Sequence, residues 1–336
     1  MQTLSMLESL LGERYGVSAA SLLMVRQGSV RYAELGGTES FSPGASPITV
    51  QTRFNIGSVT KPVTGALLIK LVESGKVALH DQVQKYIPEF LHPGISLLHL
   101  LTHTGGYSGD FQLAWPSQGA RDKYMKTIYA IDQLAFQPGT ANQYFTFGYS
   151  ILMDVIERVT GRSLEAFARE VLFGPLGMDH TTFDPGVPAL LPLHQETLEP
   201  ELSLAGLDIT GDSGLLSTAA DLGRFGQMLL DQGVWQGRSI FSEAAVSLMF
   251  REVTPGRTPV FWLKTDRDLH HTTNVDVHRC FSDLASPQAV GHNGFSGCMF
   301  FLDPAVSAVG VILTNGRRFH ADGRNYARFS SRMLSM

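Results

Sequence analysis

Cysteine is nearly absent: Cys280 and Cys298 are the only two in the chain. Two thiols cannot build a disulfide scaffold or a Cys-based metal site, and they read as buried apolar residues. Long apolar runs are missing as well, so no membrane span is expected. Positive charge is not in excess. The 26 Lys and Arg against 31 Asp and Glu leave a formal net charge of −5, which gives no electrostatic reason to expect nucleic acid or an anionic membrane as partner. Met1 to Tyr15 reads as an amphipathic helix carrying Glu8, Glu13 and Arg14. It lacks the basic start, apolar stretch and small-residue cleavage site of a secretion leader, a reading that keeps the chain in the cytoplasm.

What is there is an ordinary globular composition: 336 residues, 43% hydrophobic and 17% charged, enough to bury a large core. Ala19 to Arg26 and Ser29 to Glu34 are β-type runs joined at Gln27-Gly28, a hairpin signal. Gly36 to Pro47 reads as loop. Leu97 to about Ile209 is mainly helical, with helices expected at Asp154–Thr160 and at Leu164–Leu172, the latter ending before Gly174-Pro175. Ala219 to Leu230 is a further helix, with Asp221 in its first turn and Gly233 beyond its end. Gly297–Leu302 and Val306–Leu313 then read as strands around the turn Asp303-Pro304, and Arg324–Leu334 closes the chain as a helix. Strands at both ends of a helical middle imply an α+β fold, one antiparallel sheet built from both termini and flanked by helices, with a mainly helical insert. The expected division is a single unit over 1–336, its α/β part about 1–80 and 215–336 and its helical part about 81–214.

The chemistry concentrates around Phe54 to Thr64. Pro62 tolerates only the start of a helix, and the apolar run Gly65 to Val72 continues that helix until Gly75. Ser58 then sits at the helix mouth, beside backbone N–H groups that lack intrahelical partners and favour a developing anion. Lys61 lies three residues on, and such positions share a helix face with Cβ atoms roughly 5–6 Å apart. An amine at that distance can take the hydroxyl proton if burial and neighbours lower its pKa.

Two more clusters stand out. Gln137 to Tyr149, with Tyr144-Phe145-Thr146 at its centre, is a loop entering a helix; Val290 to Gly297, with His292-Asn293-Gly294-Phe295, immediately precedes a strand. Together with Ser58-x-x-Lys61 they resemble the three active-site motifs of the serine β-lactamase and penicillin-binding-protein superfamily. The match is with its class C β-lactamase-like branch, which includes carboxylesterases and D-amino-acid peptidases. The resemblance runs from about Thr52 to Asn315 and includes Leu100 to Gly106, Ile156 to Gly161 and Gly214 to Leu222. It implies Ser58 as nucleophile, Lys61 as base or as the charge that tunes one, and Tyr144 as the phenol that shuttles the proton. His292, Asn293 and Gly294 fall on the strand lining the site. The Phe295 and Ser58 amides would form the oxyanion hole, and His292 would orient Tyr144 or the substrate. No metal or organic cofactor is implied.

The departures from that pattern set the expected substrate. Thr146 stands where the family usually has asparagine, leaving one hydroxyl where an amide would both donate and accept. His292 replaces a lysine, so a fixed positive charge becomes conditional on pH. Both point toward small carboxylic esters, with amides or lactams as weaker substrates. Open alternatives are a β-lactamase or D-alanyl-D-alanine peptidase, acyl transfer to an amine or alcohol, and a catalytically silent binding protein on the same fold. His99-x-x-x-His103 has metal-ligand spacing without a third ligand. His270-His271 reads as solvated. Gly211-Asp212-Ser213-Gly214 reads as a segment bordering the site, no Gly-x-Ser-x-Gly elbow is present, and the three tryptophans read as mostly core.

Overall fold

The computed structural model describes residues 5–108, 112–264 and 280–336; His270 and His271 lie outside them. Six strands form the main sheet: β1 (Ala19–Arg26), β2 (Ser29–Gly37), and then, after two short two-stranded pairs, β7 (Trp262–Leu263), β8 (Val290–Gly294), β9 (Cys298–Asp303) and β10 (Ala308–Thr314). The pairs are β3 (Phe54–Asn55) with β4 (Leu216–Ser217), and β5 (Val234–Trp235) with β6 (Arg238–Ser239). The main sheet has the order β2-β1-β10-β9-β8-β7 with every neighbour antiparallel. N-terminal and C-terminal strands therefore pair directly, Leu23 opposite Val311 at the β1–β10 junction. The fold is α+β, as the arrangement of strand-like and helical text implied.

Successive strand residues point to opposite faces. Along β9 this sends Phe300 and Leu302 into the larger core and Met299 and Phe301 into a second cluster. Helices cover both faces, which is why β9 and β10 read as continuous apolar runs instead of alternating ones. On one side lie α1 (Met6–Leu10) and the C-terminal helix Arg324–Leu334, through Met6, Leu10, Tyr326, Phe329 and Met333. On the other lie α2 (Thr60–Glu73) and the helix Ala219–Leu230, the last capped by the Thr218 side chain accepting from Asp221 N, and the helix Gly148–Thr160 packs against α2. Helix α2 is buried from Thr60 through Ile69, so it shows no polar face and acts as the central post of the molecule.

Three expectations are corrected. The N-terminal helix stops at Leu10: Gly12 takes a φ of 123° and bridges Val17, turning the chain into β1. Strand β2 runs through Gly37, so Gly36 is strand and not loop. The helix from Leu164 does not end before Gly174-Pro175. It passes through one wide π turn at Arg169–Phe173, continues as Gly174–Leu176, and stops at Gly177 with a φ of 65°. Proline removes a ladder donor, and a turn widened by one residue absorbs that loss without breaking the helix. No helix among the described residues is long and apolar enough to cross a membrane.

Candidate active site

The site begins where β3 meets β4. Their pairing carries Ile56 N to Leu215 O (3.2 Å), and Leu215 N donates to Thr60 Oγ1 (3.1 Å). Between these anchors the chain makes a 3-10 turn, Gly57–Val59, that runs straight into α2. Asn55 Oδ1 accepts from Gly57 N at 3.0 Å, and Thr60 Oγ1 donates to Gly57 O at 2.6 Å, so the turn is held at both ends. Gly57 has a φ of 54°, and a Cβ there would lie 2.9 Å from the Phe295 ring and 3.2 Å from Phe295 N. Only glycine meets both demands. Ser58 follows, half-buried at the mouth of the helix.

Lys61 is completely buried on the first turn of α2. Its Nζ reaches Ser58 Oγ (3.1 Å), Thr146 Oγ1 (2.9 Å) and the Asp212 carbonyl (2.9 Å). As an ammonium it spends all three protons on these oxygens; as an amine it offers its lone pair to the Ser58 proton. Tyr144 OH donates to the same Ser58 Oγ at 2.9 Å. The three predicted side chains thus converge on one hydroxyl.

The loop carrying Tyr144 is set by a residue that sequence reading assigned no such role, His103. It lies beyond the short helix Leu97–Leu101 with a φ of 57°, so it shares no helix face with His99. Its Nδ1 accepts from Phe145 N (3.2 Å), its carbonyl accepts from Gln143 N (3.0 Å), and its ring packs 4.5 Å from that of Tyr144. Burial above all, and then the charges of Arg257 and Lys61, push its pKa well below the usual range. A neutral ring is what the Phe145 N–H requires.

Thr146 does not face open space alone. Its hydroxyl accepts from Lys61 and donates to Asp212 Oδ2 at 3.0 Å. Asp212 is fully buried and also accepts from Ser150 Oγ (3.0 Å) and Trp115 Nε1 (3.1 Å). A carboxylate therefore stands behind the threonine where the family pattern has an amide. Asp212 was legible only as part of a bordering segment; the threonine at 146 was the one signal that a replacement partner was needed.

Strand β8 closes the other side. A Cβ on Gly294 would lie 2.2 Å from Ile56 O and 3.1 Å from Ser58 N, so the strand abuts the Ser58 turn. Glycine is demanded here by the protein's own turn. The same approach brings the Phe295 N–H beside that of Ser58, which as an early residue of the turn has no carbonyl behind it. His292 is 5% exposed, with Nδ1 on Asn293 O (2.7 Å) and Nε2 buried without a partner among the described residues. Its ring lies 6.2 Å from Tyr144 and 5.9 Å from Trp262, so it meets Tyr144 by packing. Asn293 alone of the predicted set points elsewhere, its amide donating to Cys280 Sγ at 3.1 Å.

His292, like His103, has its pKa pushed well down, mainly by burial and then by Lys61. Both rings stay neutral in the folded protein but take up protons near pH 6.5 once unfolded. Below that pH the unfolded chain binds more protons, so stability falls as pH drops and is unaffected above it. Each ring accounts for up to ~1.4 kcal/mol per pH unit in that window. Thermal denaturation at about pH 5.5 should give a lower midpoint than near pH 7, and His292→Asn should narrow the gap. An unchanged midpoint would contradict the neutral assignment.

Two cavities flank the cluster, of about 300 Å³ and about 590 Å³. The first is lined by Pro185, Val187, Leu216 and Phe295 among others, and the second by Tyr144, Thr146, Phe147 and Leu113. Trp115, Leu204 and Leu207 line both, and Trp115 stacks on Phe295 at 5.6 Å, so it forms the aromatic part of the wall between them.

Comparison with known proteins gives the family and the fold. The family model described as Beta-lactamase matches residues 5–331. An N-acetylmuramyl-L-alanine amidase of Bacillus subtilis (strain 168) is 26% identical, over 89% of this chain and 77% of its own length. Among solved structures, EstCE1, described as a hydrolase with promiscuous acyltransferase activity, superposes with a TM-score of 0.77 at 20% identity, covering 98% of this chain and 96% of that one. A penicillin-binding protein homolog from Caulobacter crescentus gives 0.73 at 21% identity, with the same coverage. Matched along nearly its whole length by that family model, the chain belongs to the Beta-lactamase family and is a serine hydrolase.

Proposed function

We propose that the protein hydrolyses small neutral carboxylic esters through an acyl-enzyme on Ser58. One observation carries the reading: Ser58 Oγ lies within hydrogen-bond distance of both Lys61 Nζ and Tyr144 OH, at a turn whose N–H adjoins that of Phe295. Lys61 and Tyr144 together form the general base. Missing one proton between them, the pair is either ammonium with phenolate or amine with phenol, and both forms sit one transfer from Ser58 Oγ. Oγ attacks the ester carbonyl, its proton passes to the pair, and the new oxyanion accepts from the two amides. The pair returns the proton to the departing alkoxide. Water then enters, gives a proton to the same pair, attacks the acyl carbon, and Ser58 leaves with that proton as the acid is released.

Three features favour a neutral ester over a lactam or D-peptide carboxylate. His292 holds no charge near neutral pH, because burial disfavours its protonation. Arg317, whose guanidinium lies 5.7 Å from the Phe295 ring centroid, is already engaged by the Glu201 carboxylate. The walls on both sides of Trp115 are largely apolar. Turnover of p-nitrophenyl butyrate should therefore exceed that of a chromogenic cephalosporin or a D-alanyl-D-alanine peptide, each against Ser58→Ala as blank. Faster opening of the cephalosporin would replace this reading with the lactamase one.

Trp115 should set how large a substrate fits. Trp115→Ala removes the aromatic part of the wall that Leu204 and Leu207 share, widening the passage between the two cavities, and a pocket change of this kind shifts selectivity by roughly tenfold or more. The ratio of kcat/KM for p-nitrophenyl decanoate over butyrate should rise by about that factor. Trp115→Phe keeps the wall while losing the Asp212 hydrogen bond, so it should leave the ratio in place. An unchanged ratio in Trp115→Ala would remove Trp115 as the limiting part of that wall.

A further inference from the structure

Arg257, just before β7, is 2% exposed and sits among apolar and aromatic groups. Its guanidinium lies 2.9 Å from the centroid of the Trp262 ring. Nη2 donates to Asn142 Oδ1 at 3.3 Å, Nε is buried with no partner, and no carboxylate pairs with it among the described residues. A guanidinium keeps its proton in proteins, so among the described residues this is a buried positive charge without a fixed counter-charge. Such an arrangement works against folding, and replacing it with an apolar side chain often stabilises. What it faces is the proton-handling side of the site. Trp262 stacks on Tyr144 at 6.0 Å and 17°, and Asn142 lies two residues before Tyr144 on the same loop.

The other groups around Tyr144 sharpen the point. Lys61 lies 5.0 Å from its ring centroid on the α2 side, but Asp212 offsets that charge through Thr146. His103 and His292 contribute neutral rings. Tyr149, from the helix Gly148–Thr160, is a buried phenol whose hydroxyl donates to Leu101 O. Among the described residues Arg257 is the remaining permanent charge; burial pushes its pKa down, while Tyr149 and then Tyr144 push it up.

We infer that Arg257 is a positioning residue that supplies the fixed positive charge behind Tyr144, favouring its phenolate when the phenol gives up or returns the Ser58 proton. The inference rests on the reading of Ser58 and Tyr144 given above. It does not require the substrate to be an ester. Arg257 is buried against the Trp262 ring and lines neither flanking cavity, so its action passes through Tyr144.

Tyrosine ionisation followed at 295 nm tests it without substrate. Tyr32, Tyr86, Tyr107, Tyr124, Tyr129, Tyr149 and Tyr326 are all pushed upward, chiefly by burial, and the difference against Tyr144→Phe removes Tyr15 from the comparison. The component lost in Tyr144→Phe should move up by about one pH unit in Arg257→Met and stay near its parent position in Arg257→Lys. The acid limb of kcat/KM should move with it, giving roughly tenfold lower kcat/KM on that limb. Arg257→Gln, which keeps a donor for Asn142, repeats the test should Arg257→Met not fold. A component and limb that stay in place while activity drops would reduce Arg257 to packing and overturn the inference. So would a fold lost in both neutral variants and kept in Arg257→Lys, since the charge would then serve the fold. A titration that shifts in a protein inert to every ester would instead sink the ester reading and leave this one standing.

Discussion

Ser58→Ala should abolish turnover, with kcat/KM falling on the order of 10⁴–10⁶-fold while the fold is kept. The size of the loss follows from what remains. The two amides, the flanking cavities and the Lys61–Tyr144 pair are untouched by removing one oxygen, so substrate still binds and the oxyanion site still exists. What disappears is the covalent route, and water placed near the same base recovers only a small part of it. The change is mild for the fold because Ser58 is half-buried and its turn is held at Gly57 by Asn55 and Thr60, not by the Ser58 hydroxyl. A fluorophosphonate should add one phosphonyl group to the parent protein, mapped to the peptide holding Ser58, and none to Ser58→Ala. Labelling that survives the substitution, or turnover within tenfold of the parent, would remove Ser58 from the chemistry.

That serine was legible because local sequence carries its geometry. A proline-marked helix start and a three-residue spacing put a hydroxyl and an amine on one face, and the chain needs nothing distant to achieve it. Tyr144, Gly294 and Phe295 came from motif order, and the structure brings them to the same turn. The sheet was legible for a similar reason: β9 and β10 are paired neighbours in sequence as well as in space. His103, Asp212 and Arg257 were not. Each acts through a partner remote in the chain, Phe145 for His103, Lys61 for Asp212 and Trp262 stacked on Tyr144 for Arg257. Residue type then says little: a buried histidine beside a loop and a buried arginine over a tryptophan look in sequence like surface polar groups. The π turn at Arg169–Phe173 escaped because proline was read as a stop, when a one-residue widening lets the helix pass.

Lys61→Met should cost the second largest share of activity, on the order of 10³-fold or more in kcat/KM, because it removes half of the base and the hydrogen bond to Ser58 Oγ. The same substitution tests how the buried charges are balanced. Lys61 and Asp212 are both fully buried, and no direct ion pair joins them; Thr146 Oγ1 spans the gap, 2.9 Å from Nζ and 3.0 Å from Oδ2. Removing one member of a buried pair leaves the other charge uncompensated, a loss of about 3–5 kcal/mol when nothing else satisfies it. Asp212 keeps donors from Ser150, Trp115 and Thr146, so the expected loss for Lys61→Met is nearer ~2 kcal/mol. Asp212→Asn alone strands the Lys61 ammonium and should lose a similar amount, with kcat/KM lowered as well. The double variant Lys61→Met/Asp212→Asn removes both charges at once. If they compensate each other through the threonine hydroxyl, it should be at least ~1 kcal/mol more stable than the sum of the single losses predicts, while remaining inactive. Denaturant unfolding of the four proteins gives the coupling directly. Strict additivity would mean that Asp212 is held by its three donors alone, and that Thr146 transmits no charge between the strand-lined cleft and the core of the helical half.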